Sequence, residues 1–487
     1  MKPVNSMIVA RQAELERLER LYQSDKAEFL AIYGRRRIGK TYLVSQYFNN
    51  RGIYFEVTGI KNGRKDSQLK KFHREFCRLF TSTPRLNPPQ DWDEAFSRLV
   101  EEISQINPKQ KVIIFFDELP WLATLRSQLV QELDYYWNRH FSRMNNVLFI
   151  ICGSAAAWMI RKIIQNKAGL YGRLSDQICL QAFKLNETEL YLKFRGIHLD
   201  RKQLVELYMA IGGVAKYLSF IRSGESASQS IDQLCFTLQG ALYSEFDELY
   251  SSLFGKAEYH IKIVRALAKK RRGLTRENIL TLLKIKSGGQ ISKIFDELDK
   301  SGITMTVNKF NSKVKESLII LIDEYSFFYL NWIEPVKRDI LHDAQINYWQ
   351  KIRSGNSWQS WSGFSFETIC LKHIKNIKAS LGLAAVNTIH SQWSYSPQET
   401  TEEGAQIDLL IDRADNCINL CEIKFCQGEF TITKEYAKKL LNKKEIFQTQ
   451  TNTKKTIFIT MITPYGVNKN QHYLGLVDNQ LTLDDLF

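Results

Sequence analysis

Gly34, Arg35, Arg36, Arg37, Ile38, Gly39, Lys40 and Thr41 directly follow the apolar run Phe29–Tyr33 and precede a helix-forming stretch that opens at Tyr42. In the spacing G-x-x-x-x-G-K-[ST], successive backbone N–H groups face one anion. The lysine then reaches the terminal phosphates, and the threonine hydroxyl ligates Mg²⁺. Three adjacent arginines beside Lys40 also repel one another unless an anion sits nearby. The eight residues therefore read as a site for ATP with Mg²⁺. Lys111–Glu118 is an apolar strand ending in two carboxylates, at the edge where open α/β sheets bind ligands. Asp117 would hold Mg²⁺ together with Thr41, and Glu118 would orient or deprotonate the water that attacks the γ-phosphate. The next apolar run, Val147–Cys152, ends in Gly153-Ser154 and brings a hydroxyl to the same edge, placed to sense that phosphate or simply to close a strand.

A second group of reactive side chains lies near the other end. Ile418–Lys424 alternates, so Glu422 and Lys424 project to one face and Cys421 and Ile423 to the other. Asp408 stands on the preceding strand, within reach of a hairpin, and Glu367 on an amphipathic helix ahead of both. Glu422 and Lys424 share their face with Ile418 and Leu420, where a partly buried charge has a metal or a task. Acid on a helix, Asp, then Glu-x-Lys resembles the PD-(D/E)xK nuclease core. The resemblance implies that the carboxylates, Asp408 and Glu422 above all, hold Mg²⁺ or Mn²⁺ while Lys424 activates the water that attacks a phosphodiester. A cross-strand ion pair on an exposed face would use the same residues.

With 67 Lys and Arg against 52 Asp and Glu among 487 residues, the net charge of +15 favours an acidic partner. Nucleic acid, DNA before RNA, is the leading candidate, although lysines spread over the whole surface would give the same total. Lys269-Lys270-Arg271-Arg272 lies between two helical patterns, ahead of a candidate recognition region at Ser287–Lys300. Four adjacent cations could neutralise phosphates, or be a solvated loop. The eight cysteines are scattered, with apolar strand-like surroundings at Cys152 and Cys179, and read as reduced core thiols of a cytoplasmic protein. Cys417, Cys421 and Cys426 lack the paired knuckles of a zinc site. Met1–Arg20 has no apolar core that would mark a secretion signal. The greasiest stretch, Val147–Ile160, falls short of the roughly 20 residues that cross a bilayer. It suits a buried parallel strand, and no membrane partner is expected.

Positioning these groups requires particular elements. Leu15, Leu18 and Leu21 at helical spacing give an entry helix over Gln12–Gln23. Apolar runs at Gly52–Val57, Val112–Phe116 and Val147–Cys152, separated by helix-length polar stretches, predict an α/β unit with a parallel sheet over residues 1–180. Residues 181–255 read as a helical lid. Over 256–338, short helical patterns, Gly288-Gly289 and a β-prone tail suggest a winged helix-turn-helix. A shift to Ser, Asn, Gln and Trp around Ile340–Trp361 marks a boundary. The last unit, 339–487, is expected to hold a helix near Phe364–Leu381 and strands at Gln406–Asp412, Ile418–Lys424 and Thr456–Thr460. Lysines are locally dense only around Lys438–Lys444.

The array of Ile8-Val9-Ala10-Arg11-Gln12-Ala13-Glu14-Leu15, the Gly34–Thr41 loop, Asp117-Glu118, Gly153-Ser154, Gly172-Arg173 and Gly212-Gly213-Val214-Ala215-Lys216-Tyr217-Leu218 resembles the archaeal-type ATPases. These are AAA+/STAND-like P-loop proteins. The resemblance implies a P-loop core and helical lid, then a winged helix and a restriction-endonuclease-like domain. It also implies that Arg173 stabilises transition-state charge, in cis or from a neighbouring copy in a homo-oligomer. Ala10 stands where glycine is usual and Ala215 where proline is usual. The expected function is an ATPase acting on nucleic acid, with a nuclease-like C-terminal domain gated by nucleotide state. The alternatives are a STAND-type switch whose last domain binds without cutting and, more weakly, a transcription regulator.

Overall fold

The computed structural model describes residues 8–80, 87–165, 170, 172–312, 316–341, 348–353, 355–397 and 403–487. Five strands, β1 (Glu28–Tyr33), β2 (Ile53–Thr58), β3 (Val112–Asp117), β4 (Val147–Gly153) and β5 (Asp176–Cys179), form a parallel sheet in the order β2-β3-β4-β1-β5. Phe29, Phe116 and Phe149 pack on one face, and Leu30, Phe115 and Ile150 on the other. Burial on both faces is why these strands read as continuous apolar runs. The greasy stretch Val147–Ile160 accordingly supplies the fully buried β4. No helix among the described residues is long and apolar enough to cross a membrane. Only one side chain of the four-residue edge strand β5 is buried, so it left no apolar signature. Its Cys179 is exposed rather than a core thiol, and all eight cysteines are free.

From Leu185 to Leu253 the described elements are helices. Three more, Glu258–Lys269, Arg276–Leu283 and Gly289–Lys300, lead into an antiparallel pair, β6 (Thr304–Val307) and β7 (Leu318–Leu321). The turn between the first two helices depends on Gly273, at φ +83°. A Cβ there would lie 2.8 Å from the Ile319 carbonyl oxygen, so only glycine lets the turn press against β7.

The C-terminal sheet has the order β12-β11-β10-β9-β8, from β8 (Thr388–Tyr395), β9 (Ala405–Arg413), β10 (Cys417–Ile423), β11 (Thr456–Ile462) and β12 (Asn479–Leu481). β8, β9 and β10 run antiparallel, and the helix Lys434–Thr451 crosses over to the parallel β11. β8 went unforeseen because it is a mostly half-buried, polar edge strand. Its partner helix, expected over Phe364–Leu381, is two helices, Asn356–Lys372 and Ile374–Ser380, divided at His373.

The Ser-, Asn- and Trp-rich stretch expected to be a boundary is instead a packing joint where it is described. Trp349, Trp358 and Trp361 are buried against Phe328 and Trp332. Residues 342–347 and 354 of that stretch lie outside the described residues. His373 makes a second tie. Its Nδ1–H donates to the Ile369 carbonyl at 2.8 Å, and its Nε2 accepts the Leu185 N–H at 3.1 Å. The Asn356–Lys372 helix is thereby fastened to the start of the first lid helix.

Burial holds the His373 imidazole down to about 4 against an ordinary value near 6.5. Between these values the unfolded chain binds the extra proton, so the contribution is complete above about pH 6.5 and fades as pH falls toward 4. The expected slope is up to about 1.4 kcal/mol per pH unit. Denaturant unfolding of wild type and His373→Gln across pH 4 to 7 tests it: the variant should lose that part of the pH dependence.

Candidate functional site

The helix Lys40–Phe48 starts two residues earlier than the sequence pattern suggested, because Gly39, at φ +96°, turns the loop directly into it. Lys40 is buried and donates to the carbonyls of Gly34 at 3.0 Å and Arg35 at 2.8 Å. The lysine thus spans its own loop, with its ammonium where terminal phosphates would sit. The arginines behave differently from the expectation that they surround an anion. Arg35 is turned away from the phosphate side, buried in an ion pair with Asp323 and in contact with the Tyr217 hydroxyl at 3.4 Å. Arg37 pairs with Glu245 at 2.5 Å and Glu248 at 3.1 Å. The chain's own carboxylates therefore relieve the repulsion of the triplet. Arg36 alone of the three has no ion-pair partner among the described residues, and it lines the cavity over the loop.

Because β4 separates β1 from β3, Ser154 stands between the phosphate loop and Asp117-Glu118. Thr41 Oγ1 donates to Asp117 Oδ2 at 2.9 Å, while Asp117 Oδ1 is buried with no hydrogen-bond partner. A free lone-pair oxygen beside a hydroxyl is a donor set that fits a hard divalent cation. Burial pushes the Asp117 carboxyl above its usual range, against the pull of Thr41 and Lys40. A bound cation would reverse that direction. Glu118 occupies a left-handed conformation, φ +47°, uncommon for a residue with a Cβ and in keeping with a constrained site. Its Oε2 accepts both the Ser154 N–H at 3.0 Å and the Ser154 hydroxyl at 2.8 Å. Burial raises Glu118 as well, which suits a proton acceptor. Ser154, expected to sense phosphate, thus holds Glu118. Arg173 is exposed and does not line the cavity, so the in-cis contact is not made here; its neighbour Tyr171 lies outside the described residues.

The cavity, about 910 Å³, is bordered by the lid and by residues to which the sequence assigned no role in binding. Arg11 is buried, donates to the Gln181 carbonyl at 2.8 Å and lies 4.4 Å from the Phe183 ring centre. With Ile8, Tyr191 and Phe220 it forms an apolar and aromatic wall of the kind a purine would stack on. One charge ahead of an amphipathic helix gives no sign that it will be buried. Ala10 adopts φ +59°, a left-handed conformation that explains why glycine is usual there. Ala215 opens the short helix Ala215–Leu218 without a proline, and the Lys216 N–H docks that helix on the Arg37 carbonyl at 3.1 Å.

Far along the chain, Glu367, Asp408, Glu422 and Lys424 come within electrostatic reach of one another. Burial, then the Asp408 charge, raises the Glu367 carboxyl to about 8. Asp408 is raised by burial and by Glu422, and one of its oxygens accepts the Ile423 N–H at 3.2 Å. Burial would raise Glu422 too, but the Lys424 and Lys443 ammoniums hold it below the usual range. Glu422 accepts Lys424 at 2.8 Å and the Tyr436 hydroxyl at 2.7 Å on Oε1, and Lys443 at 2.6 Å on Oε2. Both oxygens are thus committed to protein donors. Among the described residues no group of three or more His, Cys, Asp or Glu side chains is set to hold a metal ion. The expected Mg²⁺ or Mn²⁺ pair Asp408 and Glu422 is not arranged around a cation as it stands: two lysines and a tyrosine hold Glu422, and one Asp408 oxygen accepts a backbone N–H, so a metal would compete with these donors.

Lys269, Lys270 and Arg272 are exposed, but Arg271 is half buried against the helix that carries Glu367. In the candidate recognition helix, Ile291, Ile294 and Leu298 are buried. Its Glu297 is held by Arg161 at 2.6 Å and His260 at 2.8 Å, tying it to the segment after β4.

Residues 8–221 match a family described as an ATPase domain predominantly from Archaea. An uncharacterized protein of Methanocaldococcus jannaschii is 28% identical over 264 residues, covering 54% of this chain and 54% of that protein. This chain therefore spans about half the length of that relative. An uncharacterized ATP-binding protein of the same organism is 47% identical over 47 residues, 10% of this chain and 80% of the other. Among solved structures, the Walker-type ATPase of Pyrococcus abyssi is similar at a TM-score of 0.49 and 18% identity, covering 66% of this chain and 96% of that one. The Aeropyrum pernix ORC2 protein follows at 0.44 and 15%, covering 69% and 95%.

If Ser154 acts through Glu118, Ser154→Ala should lower kcat for ATP turnover by about tenfold, the worth of one hydrogen bond to a charged group, and leave KM nearly unchanged. Steady-state kinetics separate this from a direct phosphate contact, which would raise KM.

Proposed function

Through residues 8–221 the chain belongs to a family of ATPase domains predominantly from Archaea, and on that premise we propose that it binds and hydrolyses ATP over the Gly34–Thr41 loop and uses the cycle to control a C-terminal unit that engages nucleic acid. The observation that carries the first half is the buried, unpartnered Asp117 Oδ1 beside Thr41, below a cavity large enough for a nucleoside triphosphate. Mg²⁺ held by Thr41 and Asp117 would neutralise charge on the β- and γ-phosphates. Lys40 would exchange the carbonyls of Gly34 and Arg35 for phosphate oxygens. Glu118, oriented by Ser154, would accept the proton of the attacking water. Arg173 on an exposed turn suits a contribution from a neighbouring copy, which would make the active form a homo-oligomer.

The second half rests on the C-terminal unit. A helix bearing Glu367, three antiparallel strands, a crossover helix and a parallel strand gather Glu367, Asp408, Glu422 and Lys424, which supports a restriction-endonuclease-like reading. The helices Glu258–Lys300 with β6 and β7 have the order of a winged helix and support contact with nucleic acid. The three donors on Glu422 favour a second reading, in which the unit binds a phosphodiester without cutting it. Charge and location in the cell are read as before, from the net +15 and the free cysteines: a cytoplasmic protein with an acidic partner.

Glu118→Gln should lower ATP turnover by roughly 10²- to 10⁴-fold while nucleotide binding, followed by calorimetry, persists. Asp408→Ala should cost far less, and an equal loss would refute the division of labour. Plasmid nicking with Mg²⁺ or Mn²⁺, with and without ATP, decides between the two readings: cleavage that Lys424→Ala removes supports the nuclease, and ATP turnover without cleavage supports the binding unit.

A further inference from the structure

The helix Asn356–Lys372 presents Ser360, Phe364 and Glu367 at spacings of four and three residues, so they share one face. Against that face lies the turn between the helices Glu258–Lys269 and Arg276–Leu283. The Arg271 guanidinium donates to Ser360 Oγ at 3.0 Å and sits 5.3 Å from the Phe364 ring centre, with Arg272 at 6.0 Å from the same ring. The guanidiniums of Arg271 and Arg272 therefore stand about one helical turn from Glu367. The Arg272 charge also pulls the Glu367 carboxyl down against its burial, in keeping with that placement. Lys269, Lys270 and Arg272 are exposed, and no carboxylate pairs with any of the three among the described residues. Gly273 fixes the turn on β7, so this is a shaped edge and not a loose basic loop.

We propose that Lys269, Lys270, Arg271 and Arg272 form one wall of the carboxylate site, where they hold the phosphate backbone of a nucleic acid strand against Glu367 and Lys424. This deepens, and rests on, the nucleic-acid reading given above. Two observations distinguish it from a separate surface patch. Through Arg271 and Arg272 the tetrad meets the helix that carries Glu367 across Phe364, so a strand clamped by it passes the carboxylates. The segment expected to read bases, Ser287–Lys300, is tied instead through Glu297 to Arg161 and His260, although its unit also exposes Lys284, Lys286 and Lys293. Arg271 spends its charge on ordering Phe364 and Ser360 and acts as the positioning residue. Lys270 and Arg272 supply the phosphate contacts. The shared ligand chemistry is a phosphodiester chain, whether DNA or RNA.

The test is fluorescence anisotropy of the full-length chain with labelled single-stranded DNA, duplex DNA and single-stranded RNA, each at several salt concentrations and without divalent metal, so that binding is read apart from cleavage. Wild type should bind at least one of the three. Lys270→Ala combined with Arg272→Ala should weaken that binding about tenfold or more and reduce the slope of log affinity against log salt by about two. Arg272→Lys alone should retain most of the affinity and the full slope, which a merely structural role would not predict. Both variants are exposed substitutions, and matching thermal melts would establish that they fold. Lys424→Ala should weaken binding of the same probe, since one strand touches both walls. Unchanged affinity and slope in the double variant overturn the proposal and leave the nucleic-acid reading standing on other residues. No binding of any probe by wild type overturns both, and would assign the tetrad to a protein contact. Absence of ATP turnover bears on neither outcome, and would sink only the ATPase half of the proposed function.

Discussion

A guanidinium removed from water must be paired, and the pairing of Arg35 organises much of this molecule. Arg35 belongs to the phosphate loop, while its partner Asp323 follows β7, nearly three hundred residues later. Burial would lower the Arg35 pKa, and the Asp323 charge together with Tyr217, Glu324 and Tyr250 more than reverses it. Asp323 also caps the next short helix by accepting the Ser326 N–H at 2.9 Å. The adjacent Glu324 pairs with Lys372, at the end of the helix that carries Glu367. Loop, lid, hairpin and C-terminal helix thus meet in one buried polar cluster. Removing one member would strand the others without water, which typically costs about 3–5 kcal/mol. Such a cluster defines one arrangement of the units well, and it supplies the physical contact a nucleotide-dependent change would have to move.

The same principle accounts for how the chain handles its excess of positive charge. Two of the three loop arginines are neutralised from within, by Asp323 and by Glu245 with Glu248, so the anion they require is already built in. That leaves Arg36 and Lys40 for an incoming triphosphate. In the C-terminal unit the balance is struck between three carboxylates and nearby lysines. Lys424 and Lys443 keep Glu422 ionised although it is buried, and Tyr436 adds a third donor. A cation entering this centre would compete with those lysines for Glu422.

Polar groups also decide which helix boundaries the sequence pattern could not locate. His373 splits what reads as one amphipathic helix because its ring accepts the Leu185 N–H from another unit. Gly39 advances the start of the helix after the phosphate loop because a left-handed residue ends the loop there. In the aromatic joint, Trp349, Trp358 and Trp361 bury large rings where composition suggests the boundary of the last unit. The His373 break comes from a partner distant in sequence, which periodicity cannot register.

Local order was enough to determine the phosphate loop, the strand ending in Asp117-Glu118, the parallel α/β sheet and the Asp408, Glu422-x-Lys424 strands. Each depends on near-neighbour spacing or on an unbroken apolar run, and the chain carries that information residue by residue. Edge strands β5 and β8 were invisible for the converse reason, since polar strands with one paired side leave no such run. Only tertiary contact decided that Ser154 grips Glu118, that Arg35 faces inward to Asp323, that lysines hold Glu422, and that Arg271 packs on the helix that carries Glu367. These are long-range pairings of charge under burial. Their energy depends on which surfaces exclude water together, a property that exists only once the units have packed.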